Sequence, residues 1–181
     1  MNSQSLLGGY KMQFLLEQLW ATKDISGDIA EIGVYRGGSA FEMCKLIPEK
    51  KMHLYDTFTG VVKSEKGVDV HGNGDFADTS LENVKELLKS FNCDFNVGIF
   101  PDTFIVSEEI KFSFVHSDTD TYFGTRETLK VFEKRMSAGG KILFDDYKWV
   151  ACPGVEKAIS EFLIVNKYKT IERGNQFVIN F

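Results

Sequence analysis

Hydrophobic positions along this chain switch repeatedly between helical spacing and short continuous runs, and the switching predicts its elements. Residues 7–22 carry apolar positions at Phe14, Leu15, Leu19 and Trp20, one face of an amphipathic helix. Strands are expected at 28–34, 51–56, 95–100, 112–117 and 141–144. Helices fill 37–46, the stretch from a Thr79 or Ser80 cap to about residue 89, 122–136 and 153–165. The Gly139-Gly140 pair is expected to stop the third of these, and Pro153 sits in the first turn of the last. Two final strands, 169–173 and 176–180, flank Gly174-Asn175, a good turn dipeptide. Residues 57–78 are long, polar and glycine-bearing, with no periodicity of their own.

Strand–helix alternation of this kind builds a parallel sheet covered on both faces. Five strand–helix units closed by an antiparallel hairpin give a mostly parallel, seven-stranded sheet. That pattern resembles the Rossmann-like α/β fold of the class I methyltransferases more than a plain dinucleotide-binding fold. A length of 181 residues fits one domain, 1–181, with an N-terminal helical segment at 1–26 and a lid or substrate loop at 57–79.

Composition narrows the classes. The chain is 43% hydrophobic and 26% charged, with a formal net charge of -5 and no basic block, which argues against nucleic acid as a partner. Its apolar stretch at 14–20 is broken by Glu17 and Gln18, so neither a signal peptide nor a membrane span is expected. Three scattered cysteines, Cys44, Cys93 and Cys152, form no CxxC pair. They support neither zinc nor a disulfide framework, and a reducing, cytoplasmic location follows. A homo-oligomer is compatible with the sequence.

Candidate chemistry gathers where strands end. In open parallel sheets, ligands bind beyond the carboxyl ends of the strands. The first strand runs into Glu31-Ile-Gly33-Val-Tyr35-Arg-Gly37-Gly38-Ser39, spaced G-x-x-x-G-G and not G-x-G-x-x-G. A pyrophosphate calls for the tighter dinucleotide form. S-adenosylmethionine has no phosphate, and its cationic sulfonium suits a looser turn with an acid, Glu31, close by. Asp56 ends the second strand, where an acid accepts hydrogen bonds from ribose hydroxyls. The plain alternatives are a strand–helix turn for the glycines and a loop-start residue for Asp56.

Two acidic clusters follow the fourth and fifth strands, Asp118 with Asp120 and Asp145 with Asp146. Carboxylates this close repel unless they are protonated, paired or bound to a cation. Three oxygen ligands plus waters suit Mg²⁺. A cation there can hold two neighbouring hydroxyls of a substrate, and Asp118 can act as general base. Helix capping would account for one acid per cluster, not two, and Asp120 reads as a capping or supporting acid. His116 lies two residues before Asp118 and is a candidate base or ligand, with an inward structural histidine as the alternative.

Five ordered segments then resemble the macrocin and mycinamicin sugar O-methyltransferases. They are Gly27 to Ser39; Tyr55-Asp56-Thr57-Phe58-Thr-Gly60; Gly98-Ile-Phe100-Pro101-Asp102-Thr103; His116-Ser-Asp118-Thr-Asp120-Thr-Tyr122; and Gly139-Gly140 to Asp145-Asp146-Tyr147 with Pro153-Gly154-Val155 and Ala158. The resemblance implies Mg²⁺-dependent methyl transfer from S-adenosylmethionine to a sugar hydroxyl of a small molecule or glycan. It carries Asp118, Asp145 and Asp146 over as metal ligands, Asp118 also as base. Glu31, Gly33, Asp56 and Ser39 match cofactor positions, and Tyr35, Gly37, Gly38 and Thr57 lie in the same two motifs. The family's N-terminal cover is reduced here, and 57–78 does not align with it, so the acceptor is the part least defined. Two other functions compete: a nicotinamide-dependent oxidoreductase on a similar sheet, against which the missing G-x-G-x-x-G counts, and a non-catalytic partner protein that kept the fold.

Overall fold

Phe112–Ser117 is buried at every position, as a strand in the middle of a parallel sheet covered on both faces must be. It is the fourth strand of a chain ordered α1 (Gly9–Trp20), β1 (Asp28–Ile32), α2 (Gly38–Leu46), β2 (Met52–Asp56), α3 (Leu81–Leu88), β3 (Cys93–Val97), β4 (Phe112–Ser117), α4 (Tyr122–Phe132), β5 (Met136–Phe144), α5 (Pro153–Val165), β6 (Lys169–Arg173) and β7 (Gln176–Asn180). The computed structural model describes residues 6–181; residues 1–5 of the expected 1–26 segment and 1–181 span lie outside the described residues.

The sheet has seven strands in the order β3-β2-β1-β4-β5-β7-β6. The first five strands pair parallel, and β7 joins β5 and β6 antiparallel. Residues that are neighbours in sequence point to opposite faces of a strand. Ile29, Phe114, Leu143 and Val178 accordingly meet α1, α2 and α3 on one face, where Phe14, Leu15, Met43, Val84 and Leu88 close the core. Ala30, Val115, Ile142 and Ile179 meet Leu129 and Phe132 of α4 and Val155 and Ile159 of α5 on the other. The expected mostly parallel, seven-stranded methyltransferase-type sheet with its C-terminal hairpin is what forms.

Three expectations change. Trp20 is not core: it is 51% exposed, with the Lys23 ammonium over its ring. Phe14, Leu15 and Leu19 carry the burial of α1 without it. The third strand starts at Cys93 instead of 95, because pairing with β2 runs from Met52↔Cys93 to Asp56↔Val97 and stops where β2 stops. The Gly139-Gly140 pair does not end a helix. Helix α4 finishes at Phe132, and both glycines lie inside β5. There the register against β4 jumps from Phe112↔Met136 to Phe114↔Lys141. The bulge needs a φ of 82° at Gly139 and brings the backbone at Gly140 close to the Ser113 carbonyl, space that a side chain would fill.

One glycine sets the geometry of the sheet's carboxyl edge. Gly33 follows β1 with φ 85°, and a Cβ added there would overlap the main-chain carbonyl of Asp118. The ends of β1 and β4 can approach this closely only without a side chain between them. Gly33→Ala is expected to cost about 3 kcal/mol or more, from left-handed strain plus overpacking, and to lower Tm by roughly 6–12 °C. Thermal unfolding followed by circular dichroism checks it; an unchanged Tm would show that the two strand ends are free to part.

Candidate functional site

A cavity of about 410 Å³ opens beyond the carboxyl ends of β1, β2, β4 and β5. Gly33, Tyr35, Gly38, Ser39, Asp56, Thr57, Asp118, Asp120, Asp145 and Asp146 all line it. The structure therefore brings the glycine turn and both acidic clusters to one wall. Gly37, Glu31 and His116 are not on that wall. Gly37 is the left-handed residue that opens α2, with φ 77°.

Asp56 is first of all the fastener of the turn. Its Oδ2 accepts the N–H groups of Val34 at 2.6 Å and Tyr35 at 2.8 Å, and its Oδ1 accepts that of Phe58 at 2.7 Å. Both the structural role and the exposure to the cavity expected of this acid are present together. The turn is strained as well as tied: Tyr35 holds φ 52°, a conformation costly for a residue with a Cβ.

Loop 57–79 is strapped to the same wall at its end. Thr79 Oγ1 donates to the Tyr35 carbonyl, the Tyr35 hydroxyl donates to Asp78 at 2.9 Å, and Arg36 pairs with Asp78. At its middle, Asp69 accepts the N–H of Tyr122 at 2.8 Å, placing a carboxylate at the N-terminus of α4. Gly60, Val61, Val62 and Phe76 of this loop line the cavity. No motif in the sequence singles out Asp69.

The acids fall into two groups, and these divide the expected metal trio: Asp118 and Asp145 stand in one, Asp146 in the other. Ligand atoms of His116, Asp118 and Asp145 lie within 4.8 Å of one another, and so do those of Asp120, Asp146 and Cys152. Capping does not explain them. Helix α4 is capped by Thr121, whose Oγ1 accepts the Gly124 N–H at 3.2 Å, not by Asp120. Helix α5 has Cys152 at its cap with no side-chain bond. Asp120 and Asp146 both adopt left-handed φ, 58° and 55°. Strained residues of this kind cluster at ligand-holding sites.

Electrostatics reflect the crowding. Burial, then the charges of Asp145, Asp120 and Asp146, raise the Asp118 carboxyl well above its ordinary value. Burial, then Asp146, pushes Asp120 up to about 7. Asp145 is raised by burial and by Asp146, against the pull of His116 and Lys11. Beneath the wall, Glu31 and His116 are each fully buried, and Glu31 Oε1 lies 2.8 Å from His116 Nδ1. The acid expected beside the cofactor is thus committed to a histidine, whose register position next to Glu31 on β4 dictates the pairing. Glu31 Oε2 and His116 Nε2 have no hydrogen-bond partner among the described residues.

Lys11 was not among the sequence candidates. Its ammonium, reaching from α1, lies 2.8 Å from Asp145 Oδ1 and 2.6 Å from Asp146 Oδ1. Burial alone would lower its pKa, but Asp145 and Asp146 outweigh burial and raise it, so it is charged at neutral pH. The sequence did hold a signal: Lys11 sits three and four residues before Phe14 and Leu15, on the buried stripe of its helix. The donor set fits a hard divalent cation. It offers carboxylate oxygens from two strand ends, with a buried, half-satisfied imidazole behind them.

The sequence model of the macrocin-O-methyltransferase (TylF) family matches residues 3–173. The chain is 25% identical to demethyldecarbamoylnovobiocin O-methyltransferase of Streptomyces niveus, across 83% of this chain and 64% of that protein. It is 28% identical to an 8-demethyl-8-(2,3-dimethoxy-alpha-L-rhamnosyl)-tetracenomycin-C 4'-O-methyltransferase of Streptomyces olivaceus, across 78% of this chain and 60% of that one. The chain so spans 60–64% of the length of these curated relatives. Among solved structures, the O-methyltransferase NovP superposes with a TM-score of 0.84 at 20% identity, covering 99% of this chain and 82% of that one, which shows a common fold. No helix among the described residues is long and apolar enough to cross a membrane.

A folded acid whose pKa lies above its unfolded value binds its proton more tightly in the native state, so stability falls as pH rises between the two values. For Asp120 that window runs from 3.8 to about 7. In EDTA, Tm is expected to fall between about pH 5 and about pH 8. Asp120→Asn should flatten part of that decline and raise Tm at the higher pH. Differential scanning calorimetry at the two pH values checks both; a Tm that climbs with pH would refute the crowding.

Proposed function

Because the chain belongs to the macrocin O-methyltransferase family, we propose that it moves a methyl group from S-adenosylmethionine to one hydroxyl of a vicinal diol. The acceptor is a sugar of a glycosylated small molecule or a glycan, in keeping with the rhamnosyl substrate in the name of one relative. The observation that carries this reading is that the glycine turn and four carboxylates, Asp118, Asp120, Asp145 and Asp146, line one cavity. Three free thiols fit a cytoplasmic enzyme.

In this reading Gly33, Tyr35, Gly38, Ser39, Asp56 and Thr57 hold the methyl donor. Gly33 and Gly38 give it close access to the main chain, and Asp56 keeps the amides of Val34 and Tyr35 in place while offering its remaining lone pairs to ribose hydroxyls. Asp118, Asp145 and Asp146 hold a Mg²⁺ ion. Bound there, the ion would fix two adjacent hydroxyls and lower the pKa of the one that is methylated. Asp118 takes the hydroxyl proton as the oxygen is alkylated. His116, paired with Glu31, lies behind Asp118 and Asp145, and its Nε2, without a hydrogen-bond partner among the described residues, is available to one of them or to the cation. Loop 57–79 and α1 line further sides of the cavity, where they can help align acceptor and donor.

Calorimetry with S-adenosylhomocysteine should show binding; none at millimolar ligand would sink the reading. With an accepted diol, Asp118→Asn is expected to lower kcat by about 10²–10⁴-fold while binding of S-adenosylhomocysteine is kept. The Asp145→Ala, Asp146→Ala pair and EDTA should each abolish turnover. Full activity in EDTA would remove the cation and leave the methyl transfer.

A further inference from the structure

The acids just assigned to a cation are occupied by one already, and it belongs to the chain. Lys11 Nζ sits 2.8 Å from Asp145 Oδ1 and 2.6 Å from Asp146 Oδ1. Asp145 Oδ1 also accepts the Asp146 N–H at 2.9 Å, which locks the pair of acids into one arrangement. The lysine is not a surface residue that has folded inward by chance. It projects from α1, whose Phe14, Leu15 and Leu19 are buried in the core, and its side chain is 16% exposed.

We propose that Lys11 is a tethered counter-ion that holds Asp145 and Asp146 when the cation is away and competes with the cation for them, making α1 a latch that responds to metal. The proposal rests on the cation site described under the proposed function. Mg²⁺ sits about 2.0–2.1 Å from its oxygen ligands. The ammonium already contacts Asp145 Oδ1 and Asp146 Oδ1, so an ion drawn to the same oxygens would have to displace it or sit beside its charge. Their charges also repel. One ammonium balances only part of the charge of Asp118, Asp120, Asp145 and Asp146, whereas a divalent ion balances more, so the exchange is favourable once the ion is present at sufficient concentration. The lysine stem is long and flexible enough to withdraw while α1 keeps its apolar anchor.

The test uses the full chain stripped with EDTA and titrated with MnCl₂, free Mn²⁺ being read by electron paramagnetic resonance. Lys11→Met keeps the stem and removes the charge, and is expected to bind Mn²⁺ about tenfold more tightly than wild type. Lys11→Arg keeps the charge and should stay within about threefold of wild type. Saturating Mn²⁺ should also speed hydrogen exchange in residues 9–20 of the wild type and leave Lys11→Met unchanged. Lys11→Gln serves if the Met variant does not fold. Equal or weaker Mn²⁺ binding by the neutral variants overturns the competition while the cation site stands. No Mn²⁺ binding by wild type or variants removes the cation site itself, and the competition with it.

Discussion

The carboxyl edge of this sheet is governed by repulsion among carboxylates drawn partly out of water. Asp118, Asp120, Asp145 and Asp146 share one cavity wall, and Glu31 lies buried behind it. Unpaired, such a group would drive itself apart or keep its protons, and the raised pKa values of Asp118, Asp120 and Asp145 record that tension. Everything around the wall works to contain it. Lys11 comes in from the N-terminal helix, His116 pairs with Glu31 below, and the Cys152 thiol donates to Asp120. The fold tolerates this cost because the two hydrophobic layers on either side of the sheet are complete without it.

Much of this was legible in the sequence, for reasons that differ by element. Strand β4, helix α5 and the final hairpin were readable to their ends, because their hydrophobic runs are bounded by strong punctuation: Asp118, Pro153 and Gly174-Asn175. The convergence of the glycine turn with both acidic clusters followed from topology alone, since β1, β4 and β5 had to be neighbours. What failed was what depends on long-range pairing. Gly139-Gly140 reads as a helix stop in sequence, but a bulge against β4 uses the same residues. Trp20 has the spacing of a core residue, yet it is the last residue of α1 and stays exposed, with the Lys23 ammonium over its ring.

The site shows the same division. The residues that touch the cavity through their own motifs, such as Asp56, Asp118 and Asp145, could be named in advance. His116 takes the inward placement that was one of its two readings, while its partnership with Glu31, which does not line the cavity, is set by strand register and not by spacing. Lys11 and Asp69 come from segments that fit no motif, and each is defined by the partner it meets across the fold: Asp145 and Asp146 for one, the first amide of α4 for the other.

The contact at Gly33 has a consequence for how such a site can change over generations. Where β1 meets β4, the touching atoms are main-chain atoms, the carbonyl of Asp118 against a residue that can carry no side chain. Mutation has no handle there: the only substitution available adds atoms where none fit. Diversification must then fall on the walls built from side chains, on Tyr10 and Lys11 of α1, on Val61, Val62 and Phe76 of the loop and on Trp149. Under the proposed function, a change of acceptor would have to come through those side chains, because the main-chain contact at Gly33 offers none to vary.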